Sequence, residues 1–131
     1  MSRDTVNSPR YQIPGRTFSQ SVRAPKGARL LFISGLTARR DDGELLADAD
    51  IETQTRQVLE NMKKILAEAG ATLDDVQRIT TYLTDIGEIK RVSVVRREYF
   101  SEPIPASTTV GVSCLAESGM RIEMDAVAVV P

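Results

Sequence analysis

A chain of 131 residues with 41% apolar and 27% charged side chains reads as one globular domain, able to bury roughly two-thirds of the surface its unfolded form exposes. Its 17 basic and 18 acidic residues leave a net charge of −1, without the basic excess of a dedicated nucleic-acid binder. Histidine is absent, which removes Ser-His and Cys-His nucleophile pairs and imidazole metal sites and leaves proton transfer to carboxylates, with lysine, tyrosine or the lone thiol behind them.

Residues 1–16 are polar and broken by Pro9, Pro14 and Gly15, and are expected to form a flexible arm ahead of a single domain over 17–131. The start of the chain lacks the apolar core of a signal peptide, and no apolar run approaches the ~20 residues of a membrane span. A single cysteine, Cys114, admits no internal disulfide. These features together predict a cytoplasmic protein. Phe18–Arg23 is a plausible first strand, and the apolar run Ala28–Ile33, ending at Ser34-Gly35, predicts a buried second one. Gly43 in the acidic loop Asp41–Glu44 invites a calcium-loop reading. That reading fails, because the first and twelfth ligand positions would be Ala38 and Ala49.

Asp50 is placed to cap a helix whose apolar positions Ile51, Val58, Leu59, Met62, Ile65, Leu66 and Ala69 recur at spacings of three and four until Gly70 ends it. Val76–Thr84, rich in β-branched residues, predicts a strand. A second helix is expected from about Glu88 to Phe100, stopped by Pro103 and Pro105, with Ile89, Val92, Val95, Tyr99 and Phe100 inward. Lys90, Arg91, Arg96 and Arg97 would then lie on its outer side. No aromatic residues interleave with them, so they read as a solvated face rather than an RNA contact. The glycines form neither a GxGxxG nor a Walker pattern. Cys114 reads as a small buried hydrophobe at a strand end.

Pro105–Val112 and Arg121–Val130 both alternate with period 2. In the first, Ser107, Thr109, Gly111 and Ser113 share a small polar face; in the second, Arg121, Glu123 and Asp125 begin a face that finishes in Val127 and Val129. Were the two strands neighbours, Glu123 would stand over small hydroxyls with room for a ligand. A carboxylate in a partly dry pocket can exchange protons near neutrality, whereas the plainer reading of Glu123 is an ion pair with Arg121. The element order is that of an α+β sheet with two helices on one face. A last strand apolar on both sides leaves a patch too large for a monomer to expose, which implies a homo-oligomer.

At these residues the sequence resembles the reactive-intermediate deaminase family, also called Rid or YjgF and often labelled endoribonuclease L-PSP. The matching pieces are Phe18-Ser-Gln-Ser-Val, Phe32-Ile-Ser-Gly-Leu, Ile51–Asn61, Leu73-Asp-Asp-Val, Thr81-Tyr-Leu-Thr-Asp, Pro105–Val112 and Ile122–Ala128. The resemblance implies a chorismate-mutase-like α+β subunit with a six-stranded mixed sheet, and a homotrimer with clefts between subunits. It also implies hydrolysis of small imines or enamines to carbonyl compounds and ammonia, without metal or cofactor. Glu123 matches the family's pocket glutamate, and Ser34 with Gly35 its Ser-Gly wall.

Two departures stand out. Active deaminases read Pro-Ala-Arg where this chain reads Pro105-Ala106-Ser107, so the arginine that clamps the substrate carboxylate is a serine; Phe18 stands where many members have tyrosine. A charge-assisted bond contributes about 1.5 to 3 kcal/mol, so carboxylate binding should weaken tenfold to a hundredfold. The expected site is an intersubunit cleft with Glu123 as catalytic group and Phe18, Ser34, Gly35, Ser107, Thr109 and Arg121 binding substrate, Arg121 being a substitute clamp. The expected activity is hydrolysis of a C–N bond in a small metabolite, with little turnover of 2-iminopropionate. A non-catalytic metabolite-binding trimer is the alternative reading, and an endoribonuclease the third.

Overall fold

The computed structural model describes residues 3–131. Strands β1 (Asp4–Thr5), β2 (Val22–Arg23) and β3 (Arg29–Leu36) precede helix α1 (Ile51–Glu68); β4 (Val76–Leu83), helix α2 (Ile89–Tyr99), β5 (Ala106–Gly111) and β6 (Ile122–Val130) follow. The main sheet has the order β3-β6-β4-β5, with β6 antiparallel to β3 and β4, and β4 parallel to β5. A parallel pair needs a crossover, and α2 supplies it. The mixed sheet therefore has four strands rather than six, because β1 and β2 pair only with each other.

The expected strand over Phe18–Arg23 shortens to its last two residues, with one isolated bridge from Ser19 to Ala106. Its middle is held by side chains of the arm instead. The Gln20 amide donates to the Tyr11 carbonyl at 2.5 Å and accepts from the Ser8 N–H at 2.7 Å, while Asn7 accepts from the Gln20 N–H at 2.8 Å. The arm is likewise tied down near its start. Buried Arg3 donates to the carbonyls of Val76 (2.5 Å), Leu73 (2.6 Å), Pro103 (2.8 Å) and Ser101 (3.2 Å) and lies over the Phe100 ring.

Helix α1 begins where its sequence signals say it should, with the Asp50 carboxylate accepting from the Thr53 N–H at 2.8 Å, and Gly70 taking a positive φ just past its end. Its stripe Ile51, Val58, Leu59, Met62 and Leu66 is fully buried, although Ile65 faces out. Opposite it lie Ile122, Met124, Ala126 and Ala128 of β6, Ile79, Thr81 and Leu83 of β4, and Ile33 of β3. Complete burial of side chains the size of Ile122 or Met124 stabilises the fold by about 1.5 to 3 kcal/mol each. No helix among the described residues is long and apolar enough to cross a membrane.

Both helices pack on one face of the sheet, as the element order predicts. The other face is bare. There β3 is an edge strand rather than a buried one, with Phe32 74% and Leu30 47% exposed, and Val110 on β5 is exposed as well. Val129, expected to join this patch, is buried beside Arg3, Asp4, Arg23 and Pro25, while Val127 stays half-buried.

Candidate functional site

Register decides which predicted residues can meet. Ser107 pairs with Ile79, and Ile79 with Ala126, so Ser107 belongs to the helix-covered face. Glu123 pairs with Tyr82, and Tyr82 with Val110, an odd number of residues away on every strand. Glu123 therefore belongs to the bare face. Strand β4 also lies between β5 and β6. The sequence-based picture of a carboxylate standing over Ser107 and Thr109 within one chain is thus overturned, because β5 and β6 are not neighbours and the residues point to opposite sides.

Each side carries part of the predicted set. On the bare face the pairing of β3 with β6 is interrupted between Ile33 and Leu36, where Ser34 and Gly35 form an irregularity beside Glu123. A Cβ on Gly35 would come within 2.7 Å of the Glu123 carboxyl carbon and closer still to its Oε2. Only glycine lets the carboxylate lie against the β3 backbone. Across β4, the Tyr82 hydroxyl donates to Asp125 Oδ2 at 2.9 Å, and this bond holds the phenol above its ordinary range. Phe32, Leu30 and Val110 make the apolar ground around these acids.

On the helix face, Phe18, Ser107 and Ile79 line a pocket with Ser93 and Arg96 of α2 and Phe100 just past its end. Its empty space is about 340 Å³ counting the open mouth, of which only about 20 Å³ is free for the centre of a water molecule. That is room for one or two waters. The Arg96 guanidinium lines it, donating to Ser107 Oγ at 2.8 Å and Ser93 Oγ at 3.3 Å. This corrects the expectation that Arg96 is part of a solvated outer face. Burial, with Arg97 beside it, pulls the guanidinium below the usual arginine range. Spacing carried the signal: Arg96 is four residues after buried Val92 and one after buried Val95, at the edge of the inward stripe. A basic residue there has a stem to bury and a head to aim.

Thr109 pairs with buried Thr81 on the same side as Ser107 and is half-buried. Arg121 pairs with Glu88 rather than with Glu123. Its Nη1 is 3.8 Å from Glu88 Oε1, at the end of the sheet where Arg91 also reaches Glu88 (3.2 Å) and Glu52 (2.6 Å). Cys114 lies past the end of β5 and is exposed rather than a core residue. Among the described residues no three His, Cys, Asp or Glu side chains converge as metal ligands would.

The architecture is that of an α+β chain with one helix-covered sheet face and one bare face, the predicted site residues being divided between the two. Residues 12–130 match the family described as endoribonuclease L-PSP. A RutC family protein of Pyrococcus abyssi is 36% identical over 129 residues, covering 98% of both chains. Reactive Intermediate Deaminase A, chloroplastic, of Arabidopsis thaliana is 32% identical over 111 residues, 85% of this chain and 57% of its own. The crystal structure of YyfB from Yersinia pestis, a protein of unknown function in the conserved Rid family, superposes with a TM-score of 0.83 at 31% identity, over 99% of this chain and 100% of that one. The chain belongs to the Rid family, the YjgF or L-PSP proteins.

Proposed function

We propose that this chain is a cofactor-independent hydrolase of an imine, enamine or related C–N bond in a small metabolite, working in the cytoplasm as a homotrimer whose clefts join one subunit's Glu123 half-site to its neighbour's Ser107 pocket. The observation that carries this reading is the division of the site. One chain holds the acid and the pocket on opposite sides of its sheet, and the bare face beside the acid exposes Phe32 and Leu30. An apolar face of this kind favours a second subunit, and only a second subunit can bring the halves together. The name of the Arabidopsis relative favours deaminase chemistry over nucleic-acid cleavage.

In the reaction an enamine first tautomerises to an imine, gaining a proton on carbon and losing one from nitrogen. Glu123 then accepts a proton from water as the oxygen adds to the imine carbon and returns it to nitrogen, giving a carbinolamine; as the C–N bond breaks, Glu123 passes the carbinolamine's hydroxyl proton to the departing nitrogen, so that ammonia and a carbonyl compound are released. Phe18, Ser34, Gly35, Ser107 and Thr109 shape the cleft. Ser107 offers one hydroxyl where related deaminases carry a guanidinium, and the nearest guanidinium stands behind it on α2. Turnover of 2-iminopropionate is therefore slow, because misplacing the anchor by an ångström costs orders of magnitude in rate.

The test is hydrolysis of freshly generated 2-iminopropionate and of other small imines by the wild type and by Glu123→Ala. Loss of a general base lowers the rate by about 10² to 10⁴, and the variant should remain trimeric. Turnover of 2-iminopropionate as fast as that of arginine-containing relatives would overturn the role given to Ser107. Unchanged hydrolysis in Glu123→Ala would remove the acid from the mechanism, and ligand binding without turnover would make the protein a metabolite binder.

A further inference from the structure

We infer that Arg3 is a positioning residue for the Ser107 pocket: it ties the stretch 100–105, which forms one wall of that pocket, to the folded core. The inference rests on the reaction proposed above only for its kinetic readout. Phe100, Ile104 and Pro105 line the pocket with Ser107, yet they belong to a connection between α2 and β5 that has no helix or strand of its own. The hydrogen bonds that hold it come from the segment ahead of β2. The carbonyls of Ser101 and Pro103 accept from Arg3 Nη1 at 3.2 and 2.8 Å, that of Ile104 accepts from Ser19 Oγ, and that of Pro105 accepts from the Ser19 N–H at 3.3 Å. Among the described residues nothing else donates to the first three of these carbonyls.

The same guanidinium grips the core. Its Nε donates to the Val76 carbonyl at 2.5 Å and its Nη2 to the Leu73 carbonyl at 2.6 Å, and both residues are buried between α1 and β4. One side chain therefore bridges a fixed anchor and a wall that lacks an anchor of its own. Arginine suits the task because three nitrogens in one rigid plane can serve four carbonyls, whereas lysine has a single nitrogen. Phe100 adds a second hold, since the guanidinium carbon lies 5.7 Å from the centre of its ring. Burial lowers the pKa of Arg3 from the ordinary arginine range, while nearby Asp74 and Asp75 oppose that shift and favour the charge. Thr17 and Phe18, from the same segment as Arg3 and Ser19, line the pocket as well. A wall held by hydrogen bonds to a polar segment, rather than by apolar core contacts, is the kind of unit that opens locally once its tie is cut.

The experiment compares backbone amide exchange and imine hydrolysis in the wild type, Arg3→Met, Arg3→Lys and Arg23→Gln. In Arg3→Met the segments 17–21 and 104–108 should exchange at least about tenfold faster, while α1 and residues 122–126 of β6 keep their protection. The KM for the small imines should rise at least about fivefold with kcat within about threefold, because the wall binds substrate throughout the reaction whereas Glu123 stands on the opposite sheet face. Arg3→Lys should lie between the wild type and Arg3→Met. Arg23→Gln, which removes only the exposed pair with Asp4, should change neither readout. The inference is overturned if Arg3→Met exchanges like the wild type, if it fails to fold or loosens α1 and β6 as much as the wall, or if the loss falls on kcat with KM unmoved, as a smaller folded fraction would give. Exchange needs no turnover, so a wall that loosens as expected in a protein that hydrolyses no imine would sink the catalytic reading alone.

Discussion

Glu123 owes its position to a residue without a side chain. The carboxylate lies against Gly35 so closely that a methyl group there would displace it, and what it would strike is the far end of a flexible glutamate rather than backbone. Gly35→Ala should therefore cost little stability, within about 1.5 kcal/mol, because Glu123 can swing toward solvent. Its effect on turnover should approach that of Glu123→Ala. Matched denaturation and rate measurements check this, and a Gly35→Ala protein with full activity would show that the acid need not lie where it does. Ser34-Gly35 and Glu123 were legible in the chain as matching motifs. That they touch was not, because residues 35 and 123 meet only through the irregular pairing of β3 with β6.

Among the elements, α1 does more than cover the sheet. Its buried Gln54 donates to the carbonyls of Leu46 (3.0 Å) and Gly119 (2.8 Å) and accepts from the Arg121 N–H at 2.9 Å. One side chain thus satisfies backbone groups of the loop before the helix and of the turn into β6, the strand that carries Glu123. Gln54→Leu leaves the Arg121 N–H without its partner, while the Leu46 and Gly119 carbonyls still accept from the N–H groups of Ala49 and Asp48, at a cost of about 1 to 3 kcal/mol readable as a lower urea midpoint. A loss below about 1 kcal/mol would mean that water replaces the amide. Helix α2 shows the limit of periodicity. Its stripe Val92 and Val95 was predictable from spacing, but charge alone assigned Arg96 to solvent. Only the close approach of β5 turned the guanidinium toward Ser107.

At the scale of the whole molecule, the bare sheet face and the divided site make one demand. If a neighbouring subunit covers Phe32, then Phe32→Asp places a charge in that contact and should yield monomers, while wild type runs at about three times the 14.4 kDa chain mass. Light scattering with an activity assay checks this. Monomers with full activity would show that each chain completes its own site. Helix α1 and the folded core should be untouched, since Phe32 contributes little to them at 74% exposure.

The sequence by itself determined the family and the longer elements, but not the short β1 and β2. Asp50 and Gly70 bracket α1, the prolines stop α2, and the period-2 runs mark the strands, because caps, breakers and alternation act over a few neighbouring residues. Strand order was decided only in three dimensions. Placing β4 between β5 and β6 puts Glu123 and Ser107 on opposite faces, and a one-residue change of register would have reversed that. The same packing brings Arg96 into the pocket where β5 carries a serine, since which charge occupies a pocket depends on which elements meet there, and local sequence does not specify that.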